Sequence, residues 1–504
     1  MIKKFIAVLI LLPFLLIKSS GQQVNGLIVS NDNNLTIVKV WGSHQDRGYA
    51  IGYLLAEQII DIYQNFIVPS FGTYLDFAKT IIENPAHFLI EDQYIAEASA
   101  MVEGLKEAGY NLNIDYRDIL LANSFLDLSN LNVVNLNLRN GCSSLMSWGS
   151  ATDGTDIEGR SVISRHMDWN DYASIIRNQA MVIHLPSEPN EQPWLFIGFA
   201  GQISVLSGIN QSGLVVMQHM LADEYSNGSL NKAYEPIWFT LRKSIERADY
   251  NEDGQNNVAD IINAVESNSN GYADSYIVTG LASANSGYDS LIAIVAEVAP
   301  SKPYISIRYN SYPDSIPGDN LYAANSSISR NDAMNLCMRY DSVRTNMGDG
   351  TGMSVEKNWN IMLKQSSTCA FGGTGNIQFM QFVPDDKMLK LSVHLNDGTQ
   401  ACENTPLIFD TDELFLTPTV TITIKKNHPF KIYPNPYSTK ATVKIDHFID
   451  GLFSIKIFTV GGNAIKEIPI HSNSLEVDDL EPGVYIFGLF NNGNILAREK
   501  VIVY

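Results

Sequence analysis

Apolar residues recur along this chain with two periods. Alternation marks residues 35–41 (LTIVKVW) as a strand, and the helical spacing takes over in GSHQDRGYAIGYLLAEQIIDIYQNFI, entered through Gly42 and Ser43. Gly48 and Gly52 stand one turn apart there and permit close backbone packing. Residues 94–110 and 117–129 repeat the helical pattern, so the upstream part of the chain is mainly helical. The character changes at NGCSSLMSW (140–148), where small and β-prone residues begin a strand. A second strand, GRSVISRHMDWN (159–170), follows a turn rich in Asp, Gly and Thr, and the resulting hairpin presents Cys142 near Arg165 and Asp168. From residue 23 to about residue 415 helical and strand patterns alternate without an internal repeat, which predicts one large α/β or α+β domain.

The two ends read differently. Lys3 and Lys4 precede an apolar run at 5–17 that ends in the small residues Ser19, Ser20 and Gly21. The run is shorter than the roughly 18 residues needed to span a bilayer, so residues 1–22 are expected to be a cleaved export signal, with an uncleaved anchor as the other reading. No cysteine follows to carry a lipid, and no later segment is long and apolar enough to be transmembrane. Residues 416–430 mix Thr, Pro and Lys without periodicity and suit a linker with an edge strand. Beyond it, KATVKIDHF, GLFSIKIFTV, NSLEVDDL, GVYIFGLF and ILAREKVIVY alternate at the spacing of a small β-sandwich. Tyr433-Pro434-Asn435-Pro436 and Gly483-Val484-Tyr485 make residues 431–504 resemble the C-terminal sorting domain of the type IX secretion system. That resemblance implies export through the periplasm and across the outer membrane, a secreted or cell-surface product, and the secretion machinery as a partner. A carbohydrate-binding or adhesive sandwich is the alternative.

Composition narrows the classes. Of 504 residues, 45% are apolar and 17% charged, and 34 Lys and Arg against 54 Asp and Glu give a net charge of −20. That balance excludes nucleic acid and anionic surfaces as partners. Only four cysteines are present, too few for a disulfide-built scaffold. Cys369 and Cys402 flank strands and could pair, Cys337 lies in the helical run NDAMNLCMRYDSV and reads as a buried thiol, and none has the spacing of a zinc site.

Cys142 is the candidate for chemistry. A free thiol has a pKa of about 8.5, so nucleophilic use at neutral pH needs a nearby positive charge and a base. Arg165 could supply the charge. If the Gly141-Cys142 bond is cut, the new α-amine, with an ordinary pKa of about 7.7–8.0, can take the proton from the same residue's thiol. Asp168 lies on the opposite face of an ideal strand from Arg165, so both reach the thiol only if the strand ends or bends near Met167. A structural ion pair of Arg165 with Asp168 is the competing reading.

Taken in order, GSHQDRGYAIG, NGCSSL, GRSVISRHMDWN, GINQSGLVVMQH, LYAANS and RYDSV resemble the C45 autoproteolytic acyltransferases and hydrolases. These N-terminal-nucleophile (Ntn) enzymes are similar to penicillin-forming acyltransferase and, more distantly, to choloylglycine hydrolases and acid ceramidase. The resemblance covers about residues 36–415. It implies an α+β, αββα four-layer Ntn-hydrolase fold over residues 23–415, cut between 141 and 142 with both pieces retained. It also implies Cys142 as nucleophile and base, Arg165 beside the thiol, Asp168 positioning the amine, and Asn325 helping to hold the oxyanion. His219 stands where many relatives place another asparagine, and is carried as a second oxyanion donor. Asn325 as a turn residue and His219 as a hydrogen-bonded core residue stay open.

One more motif lies inside this domain. Taking Asp249 as position 1 of a twelve-residue calcium loop puts Asn251 at 3, Asp253 at 5, Gly254 at the turn, Gln255 at 7, Asn257 at 9 and Asp260 at 12. Helical runs lead in and out, as in half of an EF-hand, and Asp260 replaces the usual bidentate glutamate. The expectation is structural Ca2+ and no organic cofactor; a metal-free Asn/Asp-rich turn is the alternative. The sequence therefore predicts an exported, self-processed cysteine hydrolase or acyltransferase acting on an amide or thioester. A catalytically inactive, calcium-stabilised surface binding protein is the competing class. Long-chain N-acyl amides, β-lactam side chains, bile-salt conjugates and short peptides all stay open as substrates.

Overall fold

The computed structural model describes residues 23–32, 34–110, 112–129, 131, 141–221, 227–284, 291–330, 338–365, 374–417, 430–445, 453–459, 464–491 and 494–504. Contacts divide the chain into two units, Met1–Thr417 and Pro418–Tyr504. The expected signal, most of the linker, Cys337 and Cys369 lie outside the described residues.

In the first unit the alternating segment at 35–41 forms the strand Leu35–Gly42, which pairs antiparallel with Gly26–Asp32 and parallel with Gln179–Pro186. The sheet continues through Trp194–Phe199, Ser207–Asn210, Val215–Met220, Tyr276–Leu281, Ala293–Val298 and Ile305–Arg308 to nine strands. A six-stranded sheet runs in the order Asn320–Ala323, Gly141–Ser147, Val162–Asn170, Thr374–Val383, Met388–Val393 and Leu407–Asp410. Successive residues of a strand face opposite ways, and both faces of both sheets are used. Ile37, Met181, Leu195 and Met217 share a core with Met146, Ile163, Met380 and Leu391 of the other sheet. Their sequence neighbours Val38, Val182, Phe196 and Val216 pack instead with helical residues such as Ile51, Met101 and Phe239. On the six-stranded sheet, Leu145, Tyr322 and Phe379 pack with Val343, Met347 and Met362 of the helices Met338–Met347 and Val355–Leu363.

The helix His44–Leu54 starts from a capping box between Ser43 and Asp46 and packs on Asp92–Glu107. The glycine spacing is used there. A Cβ at Gly52 would lie 2.0 Å from the Met101 carbonyl oxygen, and one at Gly104 2.2 Å from that of Tyr49, so only glycine lets the backbones meet. The expected single helix at 117–129 is two, Tyr116–Ala122 and Phe125–Ser129. Buried Asn123 causes the break: its Oδ1 accepts from Ile203 N at 2.8 Å and Ser204 Oγ at 2.7 Å, and its Nδ2 donates to Gly201 O at 3.1 Å.

A buried ion network ties residues before Cys142 to residues after it. His44 Nε2 meets Glu191 at 2.7 Å, Arg47 meets Glu188 and Glu191 at 2.9 Å each, and Arg242 meets Glu97 at 2.7 Å and Glu246 at 2.8 Å. His44, Glu191 and Glu246 lie close enough to bracket a metal ion. Their carboxylate oxygens are already spent on His44, Arg47, Arg242 and the Tyr94 hydroxyl, so the group reads as ion pairing and not as a metal centre.

In the second unit, Phe430–Tyr433, Lys440–Ile445 and Ser474–Asp478 form a three-stranded sheet. Ala464–Ile470, Phe453–Thr459, Gly483–Asn491 and Asn494–Val503 form one of four strands. Ile432, Val443, Ile455, Ile457, Phe487 and Val501 belong to one shared core.

Candidate active site

The two strands that begin at the change of pattern form the expected hairpin, with Gly141 opposite Asp168, Cys142 opposite Met167 and Ser144 opposite Arg165. Alternation therefore puts Cys142 and Arg165 on one face. Arg165 Nη2 lies 4.0 Å from Cys142 Sγ, and the guanidinium is fixed by bonds of 2.8 Å to Ser207 Oγ and to the Gln218 carbonyl oxygen. By alternation alone Asp168 would face the other way. Its strand continues through Met167 to Asn170, and the irregularity falls on the neighbouring strand, between Asn376 and Gln378. That irregularity lies opposite Met167 and Asp168, and Asp168 both flanks Gly141, where an added Cβ would come within 3.4 Å of its Oδ2, and lines the same cavity as Cys142 and Arg165.

Asn325 joins the group. Its Oδ1 accepts from the Cys142 backbone N–H at 2.8 Å and from Arg339 at 2.6 Å, while its Nδ2 donates to the Met220 carbonyl at 2.7 Å. Arg339 also donates to the Cys142 carbonyl oxygen at 2.9 Å. Sequence reasoning quoted Arg339 within RYDSV without giving it a role; a lone arginine beside a helix carries no signal of its own. Asn376 was missed altogether. Its Nδ2 donates to Asp168 Oδ1 at 2.6 Å and lies 3.0 Å from His166 Nδ1, and His166 Nε2 bonds the Met362 carbonyl. His219 lies behind this arrangement, against the Cys142 backbone and within the field of Arg165 and Arg339. It pairs with Ser144 Oγ at 2.9 Å, and it is not among the residues lining the cavity at Cys142.

Burial sets the electrostatics. It pushes the Cys142 thiol up, with Arg165 pulling back. It also raises Asp168 to about 7 against the pull of Asn376, Arg339 and Arg165. His166 is pushed down to about 3, so at neutral pH it is uncharged, with a proton on Nε2 for the carbonyl and a lone pair on Nδ1 for Asn376.

Cys142, Arg165, Asp168 and Gln218 line a cavity with Phe125, Trp169 and Trp238. Those three aromatic residues also wall a second cavity, otherwise lined largely by apolar side chains such as Ile59, Phe66, Ile119 and Phe199. An apolar chamber therefore adjoins the thiol pocket.

The second sequence motif folds as a loop between the helices Ile237–Glu246 and Val258–Glu266. Asp249 accepts from Asp253 N at 3.1 Å and Gly254 N at 2.7 Å, and Gly254 takes φ +87°. Asp253 accepts from Gln255 N at 2.9 Å and from the Asn251 side-chain amide at 2.9 Å. Asn257 caps the second helix, and Asp260 accepts from Tyr250 N at 2.6 Å and Asn257 N at 2.7 Å. Burial raises Asp260 to about 6, and the neighbouring Asp249 carboxylate adds to that.

Residues 431–504 match the secretion system C-terminal sorting domain. This domain directs the protein to type IX secretion, so the protein is secreted or displayed at the cell surface. Among the described residues no helix is long and apolar enough to cross a membrane. Protein dcd1B of Dictyostelium discoideum is 22% identical over 236 residues, and the match spans 43% of this chain and 43% of that protein. An N-acylethanolamine-hydrolyzing acid amidase ortholog from Caenorhabditis elegans is similar over 53% of this chain and 100% of its own, at 12% identity and a TM-score of 0.34. A mutant conjugated bile acid hydrolase from Clostridium perfringens is similar over 55% of this chain and 95% of its own, at 12% identity and a TM-score of 0.32.

Proposed function

We propose that this chain is an exported cysteine Ntn hydrolase or acyltransferase of the C45 type, with an αββα four-layer catalytic domain and a β-sandwich sorting tail. One observation carries the reading: the backbone nitrogen, carbonyl and thiol of Cys142 are each held by a different polar side chain, at the mouth of an apolar chamber. In maturation the Cys142 sulfur adds to the Gly141 carbonyl carbon and the Gly141-Cys142 C–N bond breaks. The nitrogen leaves as the free α-amine, still directed by Asn325 and flanked by Asp168, and water hydrolyses the resulting thioester. In turnover that amine takes the thiol proton, the thiolate attacks an amide carbonyl, the amine product leaves, and water or an acceptor amine releases the acyl group. The chamber beside the thiol suits an apolar acyl group. The calcium loop is structural: Asp249, Asn251, Asp253, Gln255, Asn257 and Asp260 would hold Ca2+ and thereby offset the clustered carboxylates.

Mass spectrometry of the purified protein is expected to show a new N-terminus at Cys142, with Cys142→Ala remaining full length. The mature protein is expected to hydrolyse N-acyl p-nitroanilides, with rate rising with chain length, and Cys142→Ala to be inert. An uncleaved wild type that is still active sinks this mechanism. An intact Gly141-Cys142 bond, with no labelling of Cys142 by iodoacetamide and no turnover, returns the chain to the binding-protein class.

A further inference from the structure

The strand Val215–Met220 places two adjacent polar side chains, Gln218 and His219, on opposite faces. His219 turns toward Ser144, whereas Gln218 lines the cavity that holds Cys142. The orientation of the Gln218 amide is settled by chemistry. Trp238 Nε1 can only donate, and it lies 3.1 Å from Gln218 Oε1, so the oxygen is turned to the indole and Nε2 is the free end. Among the described residues the polar partner of Nε2 is a weak one, the Met220 sulfur at 3.6 Å. The same residue's carbonyl oxygen takes a bond from Arg165 Nη2, the nitrogen that also faces Cys142 Sγ. Gln218 is therefore anchored at both its backbone and its side-chain oxygen, in the cavity of the nucleophile, with one N–H on the Met220 sulfur and the other unspent among the described residues. Asn325, the sequence-derived donor, has its Nδ2 directed to Met220 O.

We infer that Gln218 Nε2 is a catalytic hydrogen-bond donor to the oxyanion formed when the Cys142 thiolate attacks a substrate carbonyl. This rests on the function proposed above. As the S–C bond forms, the carbonyl π pair moves onto oxygen, and the Gln218 N–H meets that charge. Collapse of the intermediate restores the carbonyl and expels the amine, which takes the proton held by the Cys142 α-amine. A donor fixed in advance where the oxyanion forms stabilises the transition state more than the ground state, so its loss falls on kcat.

The experiment compares mature wild type with Gln218→Glu, which keeps an oxygen for Trp238 but removes both N–H groups, and Gln218→Met, which keeps the length without the amide. With an N-acyl p-nitroanilide, both variants are expected to lose roughly 10²–10³-fold in kcat, with KM within about threefold and alkylation of Cys142 by iodoacetamide at the wild-type rate. If either mature variant keeps kcat within about threefold of wild type, or if alkylation falls in step with kcat in both, the donor role is overturned. A wild type that neither cleaves itself nor turns over the p-nitroanilide overturns the proposed function instead, and takes this inference with it.

Discussion

Buried carboxyls beside the cavity hold their protons into the neutral range. Asp127, next to the cavity-lining Leu126, accepts from the Tyr276 hydroxyl at 3.0 Å and from Ile237 N at 3.2 Å, and burial raises it to about 8. A carboxyl with a raised folded pKa binds its proton more tightly in the fold, so its contribution is complete below the unfolded value near 3.8 and fades as pH rises to about 8. Asp168, at about 7, acts in the same direction. His44 does too: its two carboxylate partners raise it to about 9 despite burial, so its stabilising charge is full below about 6.5 and fades through pH 9. In the Cys142→Ala background, which keeps the chain intact, Tm is expected to fall from pH 5 to pH 8. Asp127→Asn keeps an oxygen for both partners and should flatten that fall by the equivalent of a few kcal/mol. Parallel Tm curves for the two proteins would refute the assignment to Asp127.

At the scale of elements, the helix-loop-helix around Asp249–Asp260 brings the carboxylates of Asp249, Asp253 and Asp260 into one short segment, with backbone N–H groups accounting for much of their hydrogen bonding. Bound calcium stabilises the folded state by RT ln(1 + [L]/Kd), about 2.7 kcal/mol at a hundredfold excess over Kd. Millimolar calcium is expected to raise Tm by a few degrees over EGTA, and Asp253→Ala to abolish the difference. Identical melting in calcium and EGTA would leave the loop an Asx-rich turn. That a loop lies here between two helices was legible because Asp, Asn and Gly cluster between helical runs, and the Cys142 hairpin because alternation of small and β-prone residues starts abruptly. That Gln218 lines the cavity at Cys142 was not legible. Alternation says that neighbours face apart, but the place of the Gln218 amide depends on Trp238, 20 positions away in sequence. The break at Asn123 was hidden for the same reason, since its partners Ile203 and Ser204 belong to a distant loop.

For the whole molecule, the two alternating periods made a mixed α and β chain legible, and the turn-rich tail its sorting domain. The pairing order of the strands came only with the structure, because long connections leave partners free. One pairing has a consequence for folding. Parallel strands cannot be joined by a tight turn, and the connection from Leu35–Gly42 to Gln179–Pro186 is a long crossover that contains the Gly141-Cys142 bond. In the uncut chain, closing that ladder is an intramolecular event at high effective concentration; with the proposed cut made, two separate polypeptides would have to find each other. The Cys142→Ala precursor is therefore expected to recover its native circular dichroism after dilution from urea, while the cleaved protein refolds poorly and with a yield that depends on concentration. Equal, concentration-independent recovery of both would contradict this. Self-cleavage would then work as a ratchet: the molecule folds while it is one chain, and thereafter its shape is a memory of a connection that it no longer has.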